Sequence, residues 1–272
     1  MIRLGHIDYS NCIPVHARLL APAAPADVQV VRGVPTELNL ALAESRIDAA
    51  PCSSIEYARH AGQYRLLPFT IASRGPVQSI LLECDRPPQA LGPAAVALPT
   101  ASATASVLLR ILLEHRWRVT PRYLDFEQTA DDPFERGCAA ALWIGDVALR
   151  RRPAAGHHLL DLGEEWWSWT GLPFAFALWQ VRRDLPAASL RRLATLLEES
   201  RAWFLEQPER LARHYAPIYQ LPPHRLLRYW DSLIYDLTDD VRAGLLHFLK
   251  LAAELGEAPP VHEVELAVPA AR

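Results

Sequence analysis

Four stretches of this chain carry hydroxyl, amide or, in the last, carboxylate side chains to the point where an apolar run gives way to a helical pattern. They are Asp8-Tyr9-Ser10-Asn11, Pro51-Cys52-Ser53-Ser54, Ser102-Ala103-Thr104 and Ile144-Gly145-Asp146. A helix start holds unpaired backbone N–H groups and about half a positive charge. Neutral donors placed there suit the seating of a carboxylate, and the stabilisation of negative charge that grows during a reaction. Gln78 and Ser79 stand at the head of another apolar run, after the break Arg74-Gly75-Pro76. Ser53 and Glu56 have the S-x-x-E spacing of a capping box, which predicts a first helical turn closed on itself with Ser54 at the first helical position.

Each of these residues also has a purely structural use. Asn11 suits a cap on the first helix, Ser79 a strand hydroxyl bonded to its neighbour, and Asp146 an N-cap. His6, inside a strand, suits a core position as well as a general base. Trp166, Trp167, Trp169 and Trp179 read as packing. Thr170-Gly171-Leu172-Pro173 reads as a hinge in which Gly171 can turn backbone N–H groups toward a ligand.

The elements that must position these groups alternate. Strand patterns fall at 2–7, 28–31, 47–52, 66–73 and 77–83, with helices over 16–20, 37–45 and from Ser54 onward. After the rigid Arg86-Pro87-Pro88 and Gly92-Pro93 the series restarts, with strands at 95–98, 122–124, 139–144, 159–162 and 174–181. Helices at 105–115 and 147–150 lie between them. From 185 onward the pattern is helical, over 187–206, 208–215, 224–236 and 239–255, with no strand before the tail. Alternation of this kind predicts an α/β fold with mostly parallel sheets. The two series predict two lobes, 1–85 with 182–272 and 86–181, crossed near 84–93 and 171–183 around a central cleft. Three or four helix starts facing such a cleft favour a small polyanion, a dicarboxylate above all.

The bulk composition narrows the classes. The chain has 272 residues, half of them hydrophobic, and a net charge of −3, as a soluble globular protein does. No segment is strongly basic, so nucleic acid is not an expected partner. Arg150-Arg151-Arg152 and Arg191-Arg192 read as solvated helix ends. There is no leader pattern and no apolar run of about 18 residues, so the expected setting is the cytoplasm rather than a membrane. Cys12, Cys52, Cys84 and Cys138 form no C-x-x-C pair, which argues for small buried residues rather than a metal or redox site.

Six segments in order resemble the chorismate dehydratases of the futalosine route to menaquinone, members of the periplasmic-binding-protein-like (type II) superfamily. They are Gly5 to Pro14, Gly33 to Asn39, Ile47 to Tyr57, Ser73 to Ser79, Ile144-Gly145-Asp146 and Thr170 to Trp179. Ala105 stands where the family usually carries a further hydroxyl. The resemblance implies a cofactor-independent hydro-lyase that takes water from chorismate to give 3-[(1-carboxyvinyl)oxy]benzoate. It assigns Asn11 and Ser79 to the reacting carbons. Ser53, Ser54, Ser102, Thr104, Gly145, Asp146 and Gly171 then bind the substrate, with no metal. No His, Glu or Asp stands at a matched position as an obvious base unless His6 or Asp146 turns inward, and for this family the substrate's own enolpyruvyl carboxylate is a proposed base. Two other readings share the pattern. One is 1,4-dihydroxy-6-naphthoate synthase of the same pathway, for which a histidine base in the second lobe is expected. The other is a binding module that holds a small anion without chemistry.

Overall fold

The computed structural model describes residues 1–130 and 132–267. The strands are β1 (Ile2–Ile7), β2 (Val28–Gly33), β3 (Ala49–Ser53), β4 (Tyr64–Ser73), β5 (Ile80–Cys84) and β6 (Ala95–Pro99). They continue with β7 (Arg122–Phe126), β8 (Ala140–Ile144), β9 (His158–Asp161), β10 (Phe174–Arg182) and β11 (Ile234–Asp236). The helices are α1 (Ile13–His16), α2 (Pro35–Ala43), α3 (Ser54–Arg59), α4 (Ala103–Ile111) and α5 (Gly145–Arg150). After them come α6 (Leu162–Thr170), α7 (Ala187–Leu205), α8 (Pro208–Tyr219), α9 (Pro223–Asp231) and α10 (Asp239–Glu254). None of the described helices is long and apolar enough to cross a membrane.

Two sheets form, in the orders β11-β4-β10-β3-β1-β2 and β7-β6-β8-β5-β9. Both are mixed, which corrects the expectation of mostly parallel sheets. β1 pairs in parallel with β2 and β3, and β6 with β7 and β8. The strands flanking the crossings, β4 and β10 in one sheet and β5 in the other, pair antiparallel. A chain that leaves one sheet and enters the next directly, without a covering helix, arrives running against its new neighbours.

The crossings also lie elsewhere than expected. β5 belongs to the second sheet, where Cys84 pairs with Ala140 on one side and His158 on the other. The first crossing is therefore Arg74 to Ser79 and not 84–93. β10 belongs to the first sheet, so the return precedes Phe174 and the strand expected in the second lobe moves to the first. Burial on both faces tells a sequence that a strand is central, but not in which sheet. The span 224–236 is likewise no single helix: α9 ends at Asp231 and β11 adds an edge strand to β4. Residues 268–272 of the first lobe as expected lie outside the described residues.

One apolar core runs through both sheets and their helices, and a smaller cluster lies on the far face of the second sheet. β6 shows the division by its period of two: Val96 and Leu98 join the large core, Ala95 and Ala97 the small one. The four cysteines are buried and free within these layers. Trp166 is packed against Trp169, Phe174 and His247, and Trp179 against Phe69 and His16, as packing residues should be. Arg151 is not a solvated helix end. It turns onto the buried Glu83 carboxylate at 2.6 Å, where Trp143 Nε1, Ala154 N and the His157 ring also converge. Burial alone would push the Glu83 carboxyl up, but these partners hold it below the usual range.

Candidate active site

A hollow lies between the two sheets, about 470 Å³ when the open solvent at its mouth is counted. Its wall takes Asn11, Pro35, Ser53, Ser102 and Gly145, each at or beside a strand-to-helix junction. Ser79, at the end of the first crossing, completes the polar part. Ile7, Ile71, Ile80, Ile144 and Phe176 make the rest largely apolar, and Tyr9 stands at its edge. Among the described residues no Asp, Glu, His or Lys lines this wall.

Asn11 does not cap the first helix. The helical segments there carry no side-chain cap, and Asn11 Oδ1 is buried without a partner. Ser79 is not bonded to a strand neighbour. Its hydroxyl accepts the Tyr229 O–H at 2.8 Å, and its carbonyl accepts the Gly145 N–H at 2.8 Å. Burial pushes that phenol far above its ordinary value, so it keeps its proton.

The capping box expected of Ser53 and Glu56 is not made. Ser53 forms no side-chain cap bond, and Glu56 turns outward to Arg59 at 2.8 Å. The Ile55 N–H, in the same turn, is taken by Thr104 Oγ1 at 3.1 Å. A hydroxyl of α4 thus caps α3, 49 positions away. Ser53 lines the hollow, whereas Ser54 Oγ donates to the Ala175 carbonyl at 2.7 Å. Ser54 and Thr104 are therefore ties around the site rather than parts of its wall. Ser102 has both roles: it lines the hollow and caps α4 through the Ala105 N–H at 3.3 Å.

Gly145 has φ +61°, and a Cβ there would lie 3.0 Å from the Tyr9 ring. Only glycine lets that ring close over the start of α5. Asp146 is neither an N-cap nor in the wall. Its carboxylate accepts the Ser10 N–H at 3.1 Å and the Ser10 hydroxyl. Burial pushes its carboxyl above the usual range, against the pull of these bonds. Gly171 is also outside the hollow. It is exposed, ends α6 with φ +69°, and its N–H bonds the Trp167 carbonyl. His6 faces away from Ile7 and the hollow, and sits in the core against His16.

Residues that sequence reasoning missed are Tyr229 and Trp230, whose indole N–H donates to the Ser10 carbonyl at 2.8 Å. Leu226, Tyr229 and Trp230 share the buried face of α9 at i, i+3, i+4 spacing, a signal of packing that says nothing of what is packed. The first crossing is held by Asp161, which accepts the N–H groups of Val77 at 3.0 Å and Gln78 at 2.6 Å.

Two mixed sheets joined by two crossings, with a hollow between them, define a protein of the periplasmic-binding-protein fold. A protein of known structure from Archaeoglobus fulgidus superposes with a TM-score of 0.78 at 21% identity, over 94% of this chain and 97% of that one. The periplasmic aliphatic sulphonate binding protein SsuA of Escherichia coli does so with a TM-score of 0.64 at 16% identity, over 100% and 95%. The chain belongs to the menaquinone biosynthesis family, whose model matches residues 2–254. It is 31% identical to a chorismate dehydratase of Thermus thermophilus, over 90% of this chain and 93% of that one. It is 27% identical to a chorismate dehydratase of Campylobacter jejuni, over 93% and 99%.

Proposed function

We propose that this protein is a chorismate dehydratase of the futalosine branch, a hydro-lyase that converts chorismate to 3-[(1-carboxyvinyl)oxy]benzoate and water in the cytoplasm. The observation that carries the reading is the wall of the hollow. Asn11 and Ser79 meet there, flanked by the helix starts at Ser53, Ser102 and Gly145, with apolar side chains over the remainder. Such a wall binds a flat, unsaturated carbocycle and offers fixed dipoles to its carboxylates.

The reaction needs one proton removed and one hydroxide released. The C–H bond beside the enolpyruvyl ether breaks, and its electron pair moves through the ring diene toward the ring carboxylate. The neighbouring C–O bond then breaks, hydroxide leaves and takes up a proton as water, and the ring becomes aromatic. Donors at the helix starts stabilise the charge as it grows on the carboxylate. The wall contains no protein carboxylate or imidazole among the described residues, which supports the substrate's enolpyruvyl carboxylate as the base. Tyr9 does not serve, because burial pushes its phenol up to about 12.

The test mixes purified protein with chorismate, follows loss of its diene absorbance and identifies the benzoate. Conversion is expected. Binding of chorismate without conversion would make the protein an anion-binding module. Neither binding nor conversion would favour the naphthoate synthase, which acts on a cyclic futalosine derivative.

A further inference from the structure

We infer that Tyr229 is a positioning residue for this site, fixing the Ser79 hydroxyl and leaving its proton free for the hollow. The inference rests on the dehydratase reading and names a part that the reading lacks. A phenol has a single proton, and Tyr229 gives it to Ser79 Oγ at 2.8 Å. Asn11 lines the hollow beside Ser79, its Oδ1 buried without a protein partner. Ser79, accepting from Tyr229, has its own proton left for the hollow. The wall thus offers the Ser79 hydroxyl as a donor.

That donor suits the group that must depart. A leaving hydroxyl needs a donor on its oxygen as the C–O bond lengthens. Helix α9 and the residue that ends it hold the flanking loops as well. Trp230 Nε1 bonds the Ser10 carbonyl, one residue before Asn11, and Ser232 Oγ accepts from Gln78 Nε2 at 3.0 Å, one residue before Ser79. Three side chains within four positions therefore grip both loops that carry the reacting groups.

The experiment is a double-mutant cycle on the full chain with chorismate. Tyr229→Phe should lower kcat about tenfold while KM stays within about threefold. In a Ser79→Ala background, single-turnover rates should show the same substitution costing less than about twofold, because its partner is gone. Equal losses in both backgrounds, or a loss confined to KM, would overturn the role. Should Tyr229→Phe fail to fold, 3-fluorotyrosine placed at position 229 keeps the shape and sharpens the donor. A kcat change of about twofold is then expected, and an unchanged kcat overturns the inference. Wild-type protein that leaves chorismate intact would sink the functional reading and this role together. An active wild type with an unimpaired Tyr229→Phe variant would sink the role alone.

Discussion

Asp146, at the start of α5 after the second sheet's β8, accepts both the backbone N–H and the hydroxyl of Ser10, just after β1 of the first sheet. Ser10 precedes Asn11 and its carbonyl holds Trp230, so this carboxylate sets the height of Asn11 in the cleft. Asp146→Ala leaves a buried N–H unpaired and should lose about 2–3 kcal/mol of stability. Urea unfolding checks this. KM for chorismate should rise in the same variant as the lobes lose a tie, and unchanged unfolding and KM would make the contact incidental.

Gly145→Ala combines two penalties. The residue has φ +61°, and the new methyl meets the Tyr9 ring at 3.0 Å. Left-handed backbone alone costs about 1–2 kcal/mol for a side-chain-bearing residue. The displaced ring opens the mouth of the hollow, so kcat/KM should fall further than stability does. Thermal melting beside steady-state kinetics separates the two effects.

Gly244 lies where α10 crosses the return to the first sheet. A Cβ there would lie 1.9 Å from the Pro173 carbonyl oxygen, a backbone atom that cannot swing aside. Gly244→Ala should force α10 off the crossing and lower stability by about 1–3 kcal/mol, as other overpacked sites do. Gly62→Ala, with nothing within 4 Å, is the matched control and should be silent.

The pH dependence of stability should come from two buried rings. Trp179 donates to His16 Nε2 at 2.8 Å, so the His16 proton sits on Nδ1 and faces His6 Nδ1 at 3.0 Å. Both rings are then neutral. Burial, with the Arg32 charge, lowers His6 to about 3, and burial, with His6 beside it, drives His16 well below its ordinary value. In the unfolded chain each titrates near 6.5, so below that pH the unfolded state binds more protons and stability falls with acidification. The expected loss is about 2 kcal/mol for each ring at pH 5 relative to pH 7. Urea midpoints that stay flat from pH 7 to 5 would contradict this pairing.

Much of this was legible in the chain, for a definite reason. Strand-to-helix junctions announce themselves locally, so Asn11, Ser53, Ser102 and Gly145 could be placed around one cleft from their neighbours alone. What was misread depends on distant partners. Asp146 looks like a cap because it stands in a first turn, but its partner Ser10 is 136 positions away. Ser53 and Glu56 have capping-box spacing, but Thr104 of α4 caps the same turn instead, through the neighbouring Ile55 amide. Ser79 and Tyr229 are 150 positions apart, and only the packing of α9 onto the first crossing brings them together. β5 went to the wrong lobe because burial does not say which sheet a strand joins.

The claim on which the account turns is that the hollow around Asn11 does chemistry on a ligand that the rest of its wall binds. Asn11→Ala, measured beside wild type for chorismate turnover and for chorismate affinity, addresses it directly. Turnover should fall by about a hundredfold or more, while Kd stays within about threefold. Turnover equal to wild type would place the reaction elsewhere in the protein and remove Asn11 from it.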